Sequence, residues 1–373
     1  MNHEQSAVRN RPSLAVIQPI VTAYRIPVFQ ELNRHFAVTL LSEKPDTDFG
    51  GDSDEFDFKH QSIPLTVLFG GRLEWQSGVL RYLIRYRPKY IIGYGAVRNL
   101  KFWIVLFVSR FLGIRFFVHT HGPYKFSTPS FVQKTMYRII TTWSSGMIMY
   151  APICATAIKR ILPKRWHKKI YIAENSLSID RTEVAGTKSD PGGILFVGRL
   201  RERCGIELLL EAFELLNSNN AGLSLHIVGD GIEAAALNGL ESRHVYHYGA
   251  VYDYGRLKEI ALKCEIAVYP GDAGLSVLQY FALGLPVVIH DDIRAHMGPE
   301  PSYVEFGVNG LAFRRNDVQS LMNAMLRLLS NQQLRSSMSM AMETTYLNLT
   351  QPSLAERIVR IITVESRNDY EGS

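Results

Sequence analysis

Acidic residues are absent from a long central stretch of this 373-residue chain, since none occurs between Glu74 and Glu174. Seventeen lysines and arginines fall in that stretch, whereas residues 171–373 hold 17 basic and 25 acidic residues. A surface this basic attracts anions over a Debye length of about 8 Å at physiological salt. Anionic lipid and nucleic acid are both compatible with this field, and so is a basic face that serves only solubility.

Cysteines and long apolar runs are also scarce. Three widely separated cysteines indicate neither a metal cluster nor a disulfide, and they suit a reducing compartment. They are Cys154, Cys204 and Cys264. A membrane-spanning helix needs about 20 apolar residues, but the longest candidate run, 102–117, is interrupted by Arg110 and Arg115. The polar first residues lack the apolar core of a signal peptide, so we expect a cytoplasmic protein.

Motifs of several common sites are missing. No GxGxxG follows the first predicted strand, and the chain has neither a Walker loop nor a GxSxG elbow. The signatures of RNA- and DNA-binding modules are missing too, so we expect no nucleic-acid partner. Acidic residues within 52–57 lie in a hydrophilic loop and predict solvated carboxylates rather than a cation site. His290 ends a predicted strand, and we expect it to orient loops rather than to bind a metal.

Predicted strands and helices alternate along the chain, and the alternation restarts after a polar break. This pattern is typical of α/β proteins with doubly wound parallel sheets. The break at 177–192 is rich in Gly, Pro and polar residues and predicts a linker. We therefore expect Rossmann-like domains at 1–176 and 193–350. A final helix and tail, 351–373, is a candidate to pack back on the first domain.

Residues 269–290 combine a glycine-containing turn, a short helix and a β-branched strand. Such a loop before a helix presents free N–H groups and the positive end of the helix dipole. It is typical of a site for an anion, most often phosphate; an ordinary loop–helix–strand unit is the alternative. Because ligands of parallel sheets bind at the C-terminal ends of strands, other loops there are candidates as well. They carry Tyr24 and Arg25, His119 to Gly122, Gly198 and Arg199, and Gly229 to Gly231.

Five segments of the second half carry a family resemblance in their order. They are VGRLRERCGIELLLEAF, LHIVGDG, HYGAV, AVYPGDAGLSVLQYFALGLPVV and HMGPEPSYVEFGVNGLAF. Together they resemble the retaining GT-B glycosyltransferases of family four (glycosyl transferases group 1). The first half is similar more weakly, through YRIPVF, HTHGPYK and IYIAENSLSID, to bacterial enzymes of surface-polysaccharide assembly. The resemblance spans roughly 14–345 and implies a GT-B fold, two Rossmann-like domains facing a central cleft.

The resemblance also implies roles for individual residues. Arg199 matches the arginine that binds the donor diphosphate, and His121 matches a first-domain histidine near the transferred sugar; Asp272 completes the predicted catalytic set. The predicted donor-binding residues are Gly198, Arg203, Gly229, Gly231, Gly274, Leu275, Ser276, Gln279 and Glu300. Arg25, Gly122 and Lys125 are predicted on the acceptor or sugar side. No metal or cofactor is implied, because cationic side chains and a helix dipole serve the diphosphate of the substrate.

The chain departs from the family at two glutamates that frame the organising loop and helix. The first falls at Gly271, and Asp272 beside it is the candidate replacement. The second falls at Gln279, whose amide can bind ribose hydroxyls but brings no charge. The family's lysine falls at Cys204, and the candidate replacements are Arg201 and Arg203. Because of these departures, the alternative that the chain is a degenerate, inactive relative of the family stays open.

The sequence thus predicts an enzyme that moves a sugar from a nucleotide diphosphate sugar to a hydroxyl of a saccharide, with retention of configuration. The basic first domain and the aromatic, basic segment 101–117 predict a lipid-linked acceptor and a peripheral position at the inner face of a bacterial membrane. Two alternatives remain open: a nucleotide-sugar epimerase of the same fold, and a non-catalytic basic binding protein or partner subunit.

Overall fold

The protein is described from a computed structural model, in which the chain divides into two compact units. The first comprises Met1–Asn175 and Pro352–Ser373, and the second comprises Ser176–Gln351. The structure describes residues 11–19, 21–42, 56–63, 66–68, 73–75, 77–95, 97, 99–177, 179, 192–218, 222–240 and 244–368. Most of the predicted linker and most of the acidic segment 52–57 therefore lie outside the described residues.

A seven-stranded parallel sheet, in the order β3-β2-β1-β6-β7-β8-β9, forms the centre of the first unit. Its strands are β1 (Ser13–Ile17), β2 (Ala37–Ser42), β3 (Lys59–Ser62), β6 (Tyr90–Tyr94), β7 (Arg115–Thr120), β8 (Gly146–Met149) and β9 (Ile170–Ile172), while β4 (Thr66–Leu68) and β5 (Leu73–Trp75) form a separate antiparallel pair. Helices cover the sheet because its central strands are buried on both faces. They are α1 (Ile26–His35), α2 (Ser77–Tyr86), α3 (Leu100–Phe111), α4 (Phe131–Trp143) and α5 (Pro152–Ile161).

The C-terminal helix α11 (Leu354–Asn368) belongs to this first unit. Its apolar side chains join the core beside Phe29 and Leu32 of α1. Arg357 adds an ion pair of 2.9 Å to Glu174. The end of the chain thus supplies part of the core of the unit with which the chain begins.

The second unit repeats the same construction around a six-stranded parallel sheet, in the order β12-β11-β10-β13-β14-β15. Its strands are β10 (Gly193–Val197), β11 (Ser224–Val228), β12 (Val245–His247), β13 (Ile266–Tyr269), β14 (Val287–His290) and β15 (Gly310–Phe313). Its helices are α6 (Ile206–Asn217), α7 (Tyr254–Ala261), α8 (Ser276–Leu283), α9 (Val318–Leu329) and α10 (Gln332–Thr350). The neighbouring positions of β10 and β13 bring the loops that follow them to the same edge.

Some elements differ from the sequence prediction. The acidic, glycine-containing sequence of 44–61 predicts an irregular surface loop, and this prediction is wrong at its end, because Lys59–Ser62 pairs with β2 as an edge strand. Its polar side chains are largely exposed, so no apolar alternation marked it as a strand. The apolar run 146–152 predicts a strand that reaches residue 152, but the strand ends at Met149. Pro152 instead begins the helix Pro152–Ile161 at its first turn.

Candidate functional site

The loop after β13 leads directly into α8 with its first amides available. Among the hydrogen bonds of the described residues, none is donated by the backbone N–H of Gly274, Leu275 or Ser276. No side chain caps the helix, and no acidic residue lies in its first turn. Leu275 and Ser276 are half-buried. The arrangement is suited to accept an anion from solvent, because three donors and the helix dipole meet at one place.

The start of this loop is held against the loop after β10. Gly271 N–H donates to the carbonyl of Cys204 (3.0 Å), and Asp272 N–H donates to the carbonyl of Arg203 (2.9 Å). A Cβ atom on Gly271 would lie 2.2 Å from the Arg203 carbonyl oxygen. A glutamate at position 271, which the resemblance would imply, therefore does not fit this backbone arrangement, and glycine permits the close approach.

Asp272 is the centre of a charged cluster. Its side chain is almost fully buried, and its carboxylate accepts hydrogen bonds from Arg203 (Nε, 2.8 Å), Arg315 (3.1 Å) and His290 (Nε2, 3.2 Å). Burial raises the pKa of Asp272, but the hydrogen bonds and charges of the two arginines and the histidine outweigh it, so the pKa lies below its usual value. Asp272 is thus an ionised anchor for cationic side chains. Its predicted catalytic role, like the donor-binding role of Arg203, stays a prediction.

Two buried histidines lie beside this cluster. The rings of His290 and His296 stack in parallel, with centroids 3.7 Å apart. His296 accepts a hydrogen bond at Nδ1 from the backbone N–H of Ala273 (3.0 Å), and its Nε2 lies 3.1 Å from the carbonyl oxygen of His290. Burial, with the nearby His290, lowers the pKa of His296 to about 3. His290 connects the end of β14 to the loop after β13 through its hydrogen bond to Asp272.

The loops after β10 and β11 interlock through glycines. Gly198 N–H donates to Val228 O, and Leu200 N–H donates to Asp230 O, each at 3.0 Å. Gly229 adopts a φ of +143°, and a Cβ there would lie 1.8 Å from the Gly198 carbonyl oxygen. Gly231, with a φ of +152°, similarly approaches the carbonyl of Leu200. These contacts hold the half-buried Arg199 at the same edge of the sheet as the α8 amides.

Two further predicted donor residues lie near this edge. Gln279 is half-buried on α8. Glu300 is only 3% exposed and begins a 3₁₀ turn. Its carboxylate covers Gly298, where a Cβ would meet Glu300 Oε2 at 1.9 Å. Met297, just before this turn, donates its N–H to the carbonyl of Ala273 (2.9 Å), so the Glu300 segment is attached to the α8 loop.

Predicted residues of the first unit cluster at the C-terminal edge of their own sheet. Arg25 is 8% exposed and donates to Asn175 Oδ1. The Tyr150 ring lies beside three of these side chains: its centroid is 6.0 Å from the Arg25 guanidinium, 3.9 Å from the His119 ring and 4.5 Å from the His121 ring. The result is an aromatic and cationic cluster in which both histidine rings are tilted against the Tyr150 ring.

The electrostatics of this cluster keep its histidines neutral. Burial, together with the charges of Lys125 and Arg25, lowers the pKa of His121 to about 4. Burial and the Arg25 charge lower the pKa of His119 well below its usual value. Gly122 follows with a φ of +62°, and a Cβ there would lie 2.8 Å from Met149 Cε. The site therefore presents permanent positive charge beside an uncharged imidazole at neutral pH.

No metal cluster accompanies either site in the part of the chain that the structure describes. No group of three or more His, Cys, Asp or Glu side chains is arranged to hold a metal ion there. The three cysteines are buried and unpaired with one another. Across the same residues, no helix combines the length and apolarity required to cross a bilayer.

Sequence reasoning missed Arg315, His296 and Tyr150 as members of these sites. Arg315 follows β15, a strand that was not predicted, so nothing connected it to Asp272. His296 lies in the loop after β14 and is the first residue of the segment HMGPEPSYVEFGVNGLAF, but the resemblance implies no role for it. Tyr150 directly follows β8, and this position was the one signal available for it, because ligands of parallel sheets bind at the C-terminal ends of the strands.

Solved structures share this architecture, and several of them are named glycosyltransferases. HepE from Anabaena, solved in complex with UDP, superimposes with a TM-score of 0.70 at 14% identity, covering 95% of this chain and 100% of that one. A glycosyltransferase from Rickettsia africae gives 0.71 at 13% identity, covering 96% and 98%. The lipopolysaccharide outer core galactosyltransferase WaaB gives 0.65 at 14% identity, covering 95% and 99%. No curated protein matches the sequence.

These likenesses and the two parallel sheets define the class: the chain has the GT-B fold, and the predicted α/β architecture is confirmed. Residues 180–344 match the family described as Glycosyl transferases group 1. The match covers most of the second unit, which carries the α8 loop and Arg199, and it confirms the resemblance inferred from the motifs of that unit.

Proposed function

We propose that this protein transfers a sugar from a nucleoside diphosphate sugar to a hydroxyl group, with retention of the anomeric configuration. The observation that carries the proposal is the set of amides at Gly274, Leu275 and Ser276, which have no protein acceptor among the described residues. A diphosphate needs such donors together with a cation, and Arg199 lies at the same edge. HepE, whose structures hold UDP and UDP-glucose, supports this ligand class.

Retention is supported by the acid-free stretch of the first unit, because inversion would have to rely on His121 or on a carboxylate earlier in the chain. No acidic residue occurs from 75 to 173, the stretch that supplies the loops after β6, β7 and β8. His121 is a weak base at neutral pH because its pKa is about 4. Catalysis then rests on orientation of the two substrates and on stabilisation of the leaving diphosphate by Arg199 and the α8 amides. The reaction proposed here uses no metal.

The acceptor that we propose is a saccharide carried on a lipid at an anionic membrane surface. Apolar side chains on α3 and α4 face solvent: Phe111 is 80% exposed, Phe131 is 78% and Val132 is 65%. Arg110 and Lys134 lie on the same two helices, which contact each other. Exposed aromatic and basic side chains together suit the interface of an anionic bilayer. WaaB acts on lipopolysaccharide outer core, a lipid-borne saccharide.

Thermal shift with UDP, GDP, ADP and their sugar conjugates tests donor binding. A ligand at 100 times its dissociation constant stabilises the folded protein by about 2.7 kcal/mol. Arg199→Ala should abolish the shift, whereas the control Arg256→Ala should keep it, since Arg256 pairs with Glu259 on the exposed face of α7. A wild-type protein that no nucleotide stabilises would contradict the proposed function. Product analysis without acceptor separates transfer from epimerisation.

Sedimentation with liposomes tests the membrane proposal. We expect the wild-type protein to pellet with phosphatidylglycerol vesicles and to remain in solution with phosphatidylcholine vesicles. Phe111→Ser combined with Phe131→Ser should weaken binding to the anionic vesicles. Equal recovery in the supernatant with both lipids would count against the proposal.

A further inference from the structure

We propose that His296 is a positioning residue for the phosphate-binding amides at the start of α8. This inference rests on the proposed function, because it assigns a role toward the donor diphosphate. His296 is fully buried, and its neighbour Met297 is 48% exposed at the edge of the same site. Together the two residues bind both polar backbone groups of Ala273, the residue immediately before the amides in question.

The hydrogen bonds determine the protonation of the His296 ring. A backbone N–H can only donate, so Nδ1, which receives the Ala273 N–H at 3.0 Å, carries no proton. Nε2 then carries the proton and donates it to the carbonyl of His290 at 3.1 Å. The neutral ring therefore connects the last residue of β14 to the loop after β13. Both ring nitrogens are used, which leaves none for a substrate.

The planar peptide unit transmits this contact to the amides. Ala273 C=O and Gly274 N–H belong to one trans peptide plane and point in opposite directions. Because Met297 N–H holds the Ala273 oxygen at 2.9 Å, the direction of the Gly274 N–H is set as well. His296 Nδ1 holds the preceding plane, that of Asp272 and Ala273. With both planes held, the first donor of α8 keeps one orientation.

A second contact, between His290 and His296, supports the position of the His296 ring. The His290 ring stacks on the His296 ring with an interplanar angle of 8°. His290 also forms a hydrogen bond with the carboxylate of Asp272, which accepts further hydrogen bonds from Arg203 and Arg315. Two successive loop residues are thus held by two stacked rings. They support the loop beside Gly271, where the backbone contact leaves no room for a side chain.

Three substitutions separate the two hydrogen bonds of His296. His296→Asn keeps an acceptor near the position of Nδ1, His296→Gln keeps a donor near the position of Nε2, and His296→Ala removes both. His226→Ala is the matched control, since His226 is also buried in the second unit and uses both ring nitrogens, toward Ser224 and Tyr248.

Calorimetry would measure the affinity of each variant for the nucleoside diphosphate that stabilises the wild type most, and for its nucleoside. We expect the Ala and Gln variants to bind the diphosphate about tenfold more weakly, equivalent to about 1.4 kcal/mol, and the nucleoside unchanged. The Asn variant should retain most of the diphosphate affinity. Circular dichroism melting identifies a temperature at which all variants are folded.

The outcomes distinguish the positioning role of His296 from a general structural effect. Equal weakening toward both ligands, a loss in His226→Ala as large as in His296→Ala, or an Asn variant as weak as the Ala variant would overturn the inference. If wild type binds the diphosphate and all His296 variants bind it equally well, the inference fails while the proposed function stands. If wild type binds no nucleotide, the proposed function fails and the inference fails with it.

Discussion

Substitution of Asp272 by asparagine tests the charged cluster under the α8 loop most directly. The amide keeps one oxygen for Arg315 and His290 but presents an NH₂ group to Arg203, so both hydrogen bonds from Arg203 are lost. Hydrogen bonds to charged groups contribute about 1.5–3 kcal/mol each. Because the Arg203 side chain is 60% exposed, water compensates for part of this contribution. We expect the free energy of unfolding to decrease by about 2 kcal/mol for the two hydrogen bonds together.

Scanning calorimetry would detect this change in the second unit. For a unit of 150–250 residues, about 2 kcal/mol corresponds to a decrease in Tm of roughly 4–8 °C. Tryptophan fluorescence is an internal control, because all four tryptophans lie in the first unit: Trp75, Trp103, Trp143 and Trp166. The control variant is Asp292→Asn, since Asp292 is 49% exposed and 3.8 Å from Arg315, and it should change stability by less than about 0.5 kcal/mol.

Two results would refute this account of Asp272. One is a Tm of Asp272→Asn that equals the Tm of Asp292→Asn; the other is a change confined to the transition that tryptophan reports. The same variant also examines the predicted catalytic role. A supporting carboxylate affects mainly the affinity for the nucleotide, through Arg203 and the loop, whereas a carboxylate that acts on the reacting sugar affects mainly kcat. The buried, arginine-bound geometry leads us to expect the first result.

Three further predictions concern the backbone, pH and metals. Gly229→Ala should destabilise the protein by about 3 kcal/mol in urea unfolding, because its Cβ meets the Gly198 carbonyl at a φ of +143°; Gly239→Ala, where nothing lies within 4 Å, should cost only about 1 kcal/mol, and equal losses would contradict the clash. His296 has a folded-state pKa of about 3, so below about pH 6.5 the unfolded chain binds a proton that the folded protein does not. The free energy of unfolding should therefore decrease as the pH is lowered from 6.5, by up to about 1.4 kcal/mol per pH unit. His296→Asn should lessen this slope, and an unaltered slope would argue against the neutral ring. Transfer activity should persist in excess EDTA, and a large loss would overturn the metal-free mechanism.

Much of the fold followed from local patterns. Apolar runs bounded by glycine or proline mark the buried strands. The apolar pattern of IELLLEAFELLN predicts a helix over 206–217, and the structure has the helix Ile206–Asn217 there. The edge strand Lys59–Ser62 escaped because an exposed edge needs no apolar residues. The predicted site residues were found through strand ends and the family motifs, which concentrate in the second unit.

The sequence by itself determined the α/β alternation, the charge difference between the two halves and the glycine-rich entry to α8. The alternation and the entry to α8 depend on residues within one or two turns of each other, and the charge difference depends on composition alone. The tertiary structure alone decided what supports that entry: the Ala273 amide meets a histidine 23 residues away, and Asp272 meets Arg315 at a separation of 43 residues and Arg203 at 69. Such partners become neighbours only because β10, β13, β14 and β15 lie side by side in the sheet, an order that no local pattern encodes.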